Sequence, residues 1–160
     1  MNVIRKLSWI GTGCALALVP LLVAAQSETT KSQKITGKTL MAVDELKWVP
    51  MPGLAGAQEA MLFGDPTKEA HRIFYKWAPG TKAPTHTHTA GDRGVVISGT
   101  LSLAVEGAPP KKLPAGSYFS MAGGTKHVTA VEGDAPCVFY VEREGPFDAV
   151  MVEEAAAKKK

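Results

Sequence analysis

Apolar and polar residues alternate along much of the chain beyond residue 40, and a two-residue period is the mark of half-buried β-strands. Residues 43–49 and 71–77 follow it, separated by the turn-rich stretches Pro50-Met51-Pro52-Gly53 and Gly64-Asp65-Pro66. The pattern is densest after Pro79-Gly80. Residues 94–98 and 100–106 predict a hairpin turning at Ser98-Gly99, with Leu101, Leu103 and Val105 on one face. Residues 107–112 read as a loop, 117–121 as a strand and 122–126 as a tight turn. Further strands are predicted at 127–131, 138–142 and 147–152. Strands recurring about every ten residues, with no helix-length apolar pattern between them, predict one all-β domain, a sandwich or a barrel. Sixteen Gly and eleven Pro agree with many short strands and disagree with a helical bundle.

The first residues follow a different pattern. Arg5 and Lys6 precede an apolar run from Leu7 to Val23, and Val23-Ala24-Ala25 offers small residues before Gln26. This reads as a Sec-type signal peptide at 1–25, cleaved after Ala25, which predicts a periplasmic or secreted protein. An uncleaved anchor helix is the competing reading, weakened by Gly11, Gly13 and Pro20 inside the run. Cys14 lies within the apolar run and not after it, which argues against a lipoprotein. Arg5-Lys6 is not a twin-arginine signal, so export is expected to occur unfolded. Residues 26–39 read as a loose polar arm, 40–153 as the folded domain and 154–160 as a solvated tail.

Composition excludes several function classes. The chain is 45% hydrophobic and 21% charged, with a formal charge of +3. Arg5 and Lys6 leave with the signal peptide, so the mature chain is nearly neutral and carries no basic patch for nucleic acid. Nothing in it predicts a stable membrane association after cleavage. Cys14 leaves too, and Cys137 remains alone in the apolar run Pro136 to Val141, where a buried, inert thiol is expected.

The candidate chemistry lies in the histidines. Of the four, His86 and His88 are separated by one residue, with Thr85, Thr87 and Thr89 at the alternate positions. On an extended chain this spacing directs both imidazoles to one face. Asp92 follows shortly after, and His127 opens a later strand. One strand cannot close a metal site alone, but a third imidazole and a carboxylate from its neighbours can. On the pair alone two readings stay open, a metal site and a surface decoration of a Thr-rich turn. His71 reads as a surface or strand-end histidine. Trp77 and Phe119 read as core, Arg93 as pointing away from the site, and parity leaves the direction of Tyr118, Tyr140 and Glu142 open. No Ser-His-Asp order, P-loop, dinucleotide-binding glycine pattern or C-x-x-C is present.

Two spacings carry a resemblance. The chain reads Gly80-x5-His86-x-His88-x3-Asp92-x6-Gly99 and then Gly116-x5-Ala122-x-Gly124-x2-His127. These are similar to the two motifs of the cupin superfamily, G-x5-H-x-H-x3,4-E-x6-G and G-x5-P-x-G-x2-H-x3-N. The likeness covers residues 80–131, and the flanks resemble small single-domain cupins of the ChrR-like, cupin-2 type. The resemblance implies a single-domain jelly-roll β-barrel with one divalent transition metal (Fe, Mn, Zn, Ni, Co or Cu) on His86, His88, Asp92 and His127. Three departures stand out. Asp92 replaces Glu, which leaves direct ligation, ligation through water, or support of a histidine open. Ala122 replaces Pro, and Val131 replaces Asn.

Three functions follow from that implied site. The first is a metal-dependent enzyme, of dioxygenase, isomerase or lyase type, on a small organic substrate. The second is a non-catalytic periplasmic protein that binds a small ligand or a metal. The third is a structural barrel with a vacant site. Sigma-factor regulation, which the ChrR likeness suggests, conflicts with an exported chain. Cupin sheets have open edges, so a homodimer is the expected assembly.

Overall fold

The computed structural model describes residues 39–153. The predicted signal peptide at 1–25, the arm up to residue 38 and the tail at 154–160 lie outside the described residues. Among the described residues no helix is long and apolar enough to cross a membrane, and helical structure is limited to one 3-10 turn at Val43–Glu45.

The strands are β1 (Val49–Pro50), β2 (Ala57–Phe63), β3 (His71–Trp77), β4 (Lys82–Thr87), β5 (Asp92–Ser98), β6 (Thr100–Val105), β7 (Lys111–Pro114), β8 (Tyr118–Met121), β9 (His127–Val131), β10 (Cys137–Arg143) and β11 (Val150–Met151). They form two antiparallel sheets, ordered β1-β2-β3-β10-β5-β8 and β11-β4-β9-β6-β7. The alternation in the sequence decides which faces meet. Ile73, Tyr75 and Trp77 of β3 are buried while their neighbours are half-exposed, and Cys137, Phe139 and Val141 repeat the pattern on β10. The rings interlock, with Phe139 5.3 Å from Tyr75 and 5.4 Å edge-on from Trp77. Each such side chain contributes on the order of 1.5–3 kcal/mol by leaving water.

Register gives the interior two unlike ends. Arg143 pairs with His71 on one side and with Asp92 on the other, so three polar residues lie in a row across β3, β10 and β5. In the second sheet His86 pairs with His127. At the opposite end of these strands Cys137 pairs with Trp77 and Leu101 with Val131. One end of the barrel is therefore packed with hydrocarbon, and the other collects every buried histidine.

Several predicted elements need correction. Residues 94–98 and 100–106 do not form a hairpin: β5 and β6 lie in different sheets, and Gly99 turns the corner between them. Its φ is +74°, and a Cβ there would lie 2.5 Å from the Pro136 carbonyl oxygen, so the corner needs glycine. The strand expected at 43–49 is mostly absent. Leu40 and Val43 are exposed, so its alternation faces no core, and the Ala42 N–H donates to Glu45 Oε2 at 2.6 Å to close the 3-10 turn. β2 was not anticipated, and β7 takes in the last two residues of a segment read as loop because Lys111 and Lys112 pair with Leu103 and Ser102 of β6. Of 147–152 only Val150–Met151 is strand. Cys137 is buried as expected, and burial pushes its thiol up to about 11.

Gly94, the central residue between β10 and β8, tests the packing. A Cβ there would meet the Tyr140 carbonyl oxygen at 2.4 Å and the Phe119 ring at 2.5 Å. Gly94→Ala is expected to lower unfolding free energy by about 1–3 kcal/mol in urea titration, and a midpoint equal to wild type would contradict this packing.

Candidate metal centre

His86 sits near the end of β4, His88 just beyond it and His127 at the start of β9, and all three are buried. Their rings stand 4.3–5.2 Å apart, and one ring nitrogen from each lies within 4.8 Å of the others. Thr87 between the first two is half-buried and Thr89 exposed, so the two-residue alternation through the end of β4 delivers both imidazoles to the interior.

Hydrogen bonds decide which nitrogen is offered. Nδ1 of His86 donates to the Pro84 carbonyl at 2.7 Å, and that of His127 to the Thr125 carbonyl at 2.9 Å. Nδ1 of His88 donates to the Asp148 carbonyl. A carbonyl only accepts, so each Nδ1 carries a hydrogen and each Nε2 keeps its lone pair for an electrophile. Burial lowers the basicity of His86, and burial followed by the nearby Arg143 charge pulls His88 down to about 3. Neutral imidazoles with fixed tautomers are the form in which histidine binds metal. The three can hold a metal ion.

Asp92 lines the same cavity but stands outside this group of three. Its Oδ2 accepts from Arg143 Nη2 at 3.1 Å, with the side chains 6% and 3% exposed, so the pair is a buried one. Burial raises the Asp92 carboxyl, and Arg143 opposes the shift. The guanidinium also lies 5.1 Å from the centroid of Phe147, whose ring is 5.8 Å from His88. His71, read from sequence as a surface or strand-end histidine, is instead fully buried, with Nδ1 donating to the Glu69 and Gly145 carbonyls. Arg93 points outward to Glu142 and Glu144 as expected. Tyr118 is exposed, and Tyr140 and Glu142 take the outward parity of β10.

The residue that sequence reading missed is Arg143. Its signal was parity: Cys137, Phe139 and Val141 point inward, so Arg143 must as well, and a cation on an apolar face needs a partner. The cavity joining these groups is about 180 Å³, mostly apolar, and reaches from the histidines past Tyr75 and Phe139 to Leu101.

Residues 39–160 match a family described as a domain of unknown function, DUF4437. The chain belongs to the DUF4437 family. Comparison with curated proteins gives no match. In structure the DUF4437 domain is similar to the polyketide cyclase RemF from Streptomyces resistomycificus, with a TM-score of 0.63 and 16% identity, covering 75% of this chain and 89% of that one. It is similar to an RmlC-like cupin from Shewanella frigidimarina, with a TM-score of 0.56 and 17% identity, covering 69% and 93%. The DMSP lyase DddQ from Ruegeria pomeroyi gives a TM-score of 0.56 and 18% identity, covering 73% and 64%. These likenesses establish the fold: the DUF4437 domain has the jelly-roll architecture of small cupins, as its two motifs imply.

Two outcomes follow from this geometry. Arg143→Met leaves the Asp92 carboxylate buried without its partner and is expected to cost about 3–5 kcal/mol in chemical denaturation, whereas a loss below about 1 kcal/mol would mean that the pair is solvated. The carboxylate of Asp148 accepts from the Thr89 N–H at 2.8 Å and from its hydroxyl, which clasps the segment carrying the His88 acceptor onto the end of β4. Asp148→Ala is expected to weaken metal binding about tenfold with no proposed ligand removed, and unchanged affinity in a metal titration would contradict that role.

Proposed function

We propose that this DUF4437 cupin is an exported metal-dependent enzyme acting on a small organic molecule. Its ion is held by Nε2 of His86, His88 and His127, with Asp92 as the fourth donor through Oδ1, the oxygen that Arg143 leaves free, directly or through water. The observation that carries the reading is the set of three Nδ1–H bonds to backbone carbonyls, which leaves an Nε2 lone pair on each of three histidines whose ligand atoms lie within 4.8 Å of one another at the wall of the cavity. Imidazole and carboxylate suit divalent first-row metals, and by affinity alone zinc and copper compete well. A bound ion of this kind supplies Lewis acidity or oxygen activation next to a cavity sized for a small substrate.

The chain's own contribution is orientation and exclusion of water. Apart from the proposed donors, the ionisable groups lining the cavity are Tyr75 and Arg143. Burial pushes the Tyr75 hydroxyl up to about 12, and an arginine does not give up its proton, so neither is suited to act as a general base near neutral pH. Chemistry that relies on the ion, such as cyclisation, elimination, isomerisation or oxygenation, fits this wall better than hydrolysis driven by a side-chain base. RemF is a polyketide cyclase and DddQ a DMSP lyase, so proteins of this fold carry out a cyclisation and a lyase reaction. The same scarcity of proton-transfer groups favours a second reading, a periplasmic protein that binds a small ligand without converting it. Export rests on Arg5, Lys6, the apolar run and Val23-Ala24-Ala25, and on this reading the mature protein begins at Gln26.

Elemental analysis of protein reconstituted with divalent metal tests the site. About one ion per chain is expected in wild type, with His88→Ala losing both the ion and the thermal stabilisation it brings. Fewer than about 0.2 ions per wild-type chain, or full occupancy in His88→Ala, would overturn the assignment.

A further inference from the structure

The proposed reaction leaves one buried charge without a task. Arg143 is 3% exposed and uses Nη2 on Asp92, yet its Nε and Nη1 have no hydrogen-bond partner among the described residues. These groups only donate, and leaving such donors buried and unpaired costs on the order of 1–3 kcal/mol, more for a charged group. A native interior rarely carries that cost without an acceptor arriving from elsewhere. Arg143 lines the same cavity as the three histidines, and Phe147 contacts both the guanidinium and His88. One small molecule can therefore reach the guanidinium and the imidazoles together.

We propose that Arg143 is the anchor for a carboxylate on the ligand of this cavity, holding that group while the rest of the molecule lies toward His86, His88 and His127. The inference rests on the proposed function for what happens at the far end of the ligand, but the anchor itself stands on Arg143 alone. Three features select a carboxylate. Nε and Nη1 lie on opposite edges of the guanidinium, so a fork for a planar pair of oxygens forms from either of them beside the second hydrogen of Nη2, and charge-assisted bonds to it are about twice as strong as neutral ones. Asp92 and Phe147 already fix the fork, so little is lost in ordering it. The remaining walls are apolar, with Leu103, Phe139 and Phe147 among them, which suits a compact carboxylate with an apolar body better than a phosphate that needs many donors. Size agrees: a cavity of about 150 Å³ already admits benzene, and this one is about 180 Å³. The Tyr75 hydroxyl beside the guanidinium is one internal competitor, and the other is His71, which pairs with Arg143 across β3 and β10 and whose Nε2 also lacks a partner. A water trapped between His71 and Arg143 would satisfy both and leave no anchor.

Calorimetric titration of the full chain with benzoate and with its neutral analogue benzamide separates these outcomes, run on metal-free and on zinc-loaded protein. Benzoate is expected to bind at least about tenfold tighter than benzamide in both forms, since a charge-assisted pair outweighs a neutral one by roughly 1.4 kcal/mol or more. Arg143→Gln should remove the preference. If that variant does not fold, Arg143→Lys, which keeps the charge and loses the fork, should reduce it, and the wild-type comparison needs no variant at all. Equal binding of the two probes, or binding of neither, with zinc still bound overturns the anchor and leaves the metal site intact. A preference seen only with zinc also overturns it, because the carboxylate is then on the ion. A preference that persists in protein unable to bind zinc supports the anchor and overturns the metal reading instead.

Discussion

Three backbone carbonyls determine what this cavity can do. Without the acceptors at Pro84, Thr125 and Asp148, the buried imidazoles would be free to rotate and exchange tautomers, and their lone pairs would not meet. Two of these acceptors lie two residues before the histidine they hold, so a short local loop sets each ring. The third comes from 60 residues away, and the Thr89–Asp148 clasp brings it into place. The site thus depends on the closure of the C-terminal segment over β4 as much as on the motif that contains His86 and His88.

The same end of the barrel concentrates charge that an apolar interior opposes. Arg143 lies between His71 and Asp92 because register puts it there, and one carboxylate oxygen neutralises it while two of its nitrogens stay unpaired. Its field and the loss of water both favour neutral imidazole at His88. This one cation favours an unprotonated His88 and presents donors to the cavity. A buried ion pair of this kind adds little to stability compared with a hydrocarbon replacement, so its retention is better understood as serving the site.

Much of this was legible in the residues. Alternation at 71–77, 127–131 and 138–142 located strands whose inward faces proved to be the core, and the His-x-His spacing put two rings on one face. The convergence of His127 came through the second glycine motif, since nothing local to that strand names its partner. What misled was pairing. Ser98-Gly99 has the composition of a hairpin turn, yet the chain uses Gly99 to change sheets, a choice set by the Pro136 backbone packed against it and invisible to a local window. The segment at 43–49 alternates without a core to face, and alternation alone cannot report that. Arg143 was readable by parity from Cys137, Phe139 and Val141, but its partner Asp92 is 51 residues away and only the register joins them.

The most direct measurement is the tautomeric state of the histidines in metal-free protein, read from long-range proton–nitrogen NMR correlations of the imidazole rings. The account predicts that His86, His88 and His127 each carry hydrogen on Nδ1, in slow exchange, with Nε2 unprotonated. Hydrogen on Nε2 of any one of them, or rapid averaging between the two nitrogens, would contradict it.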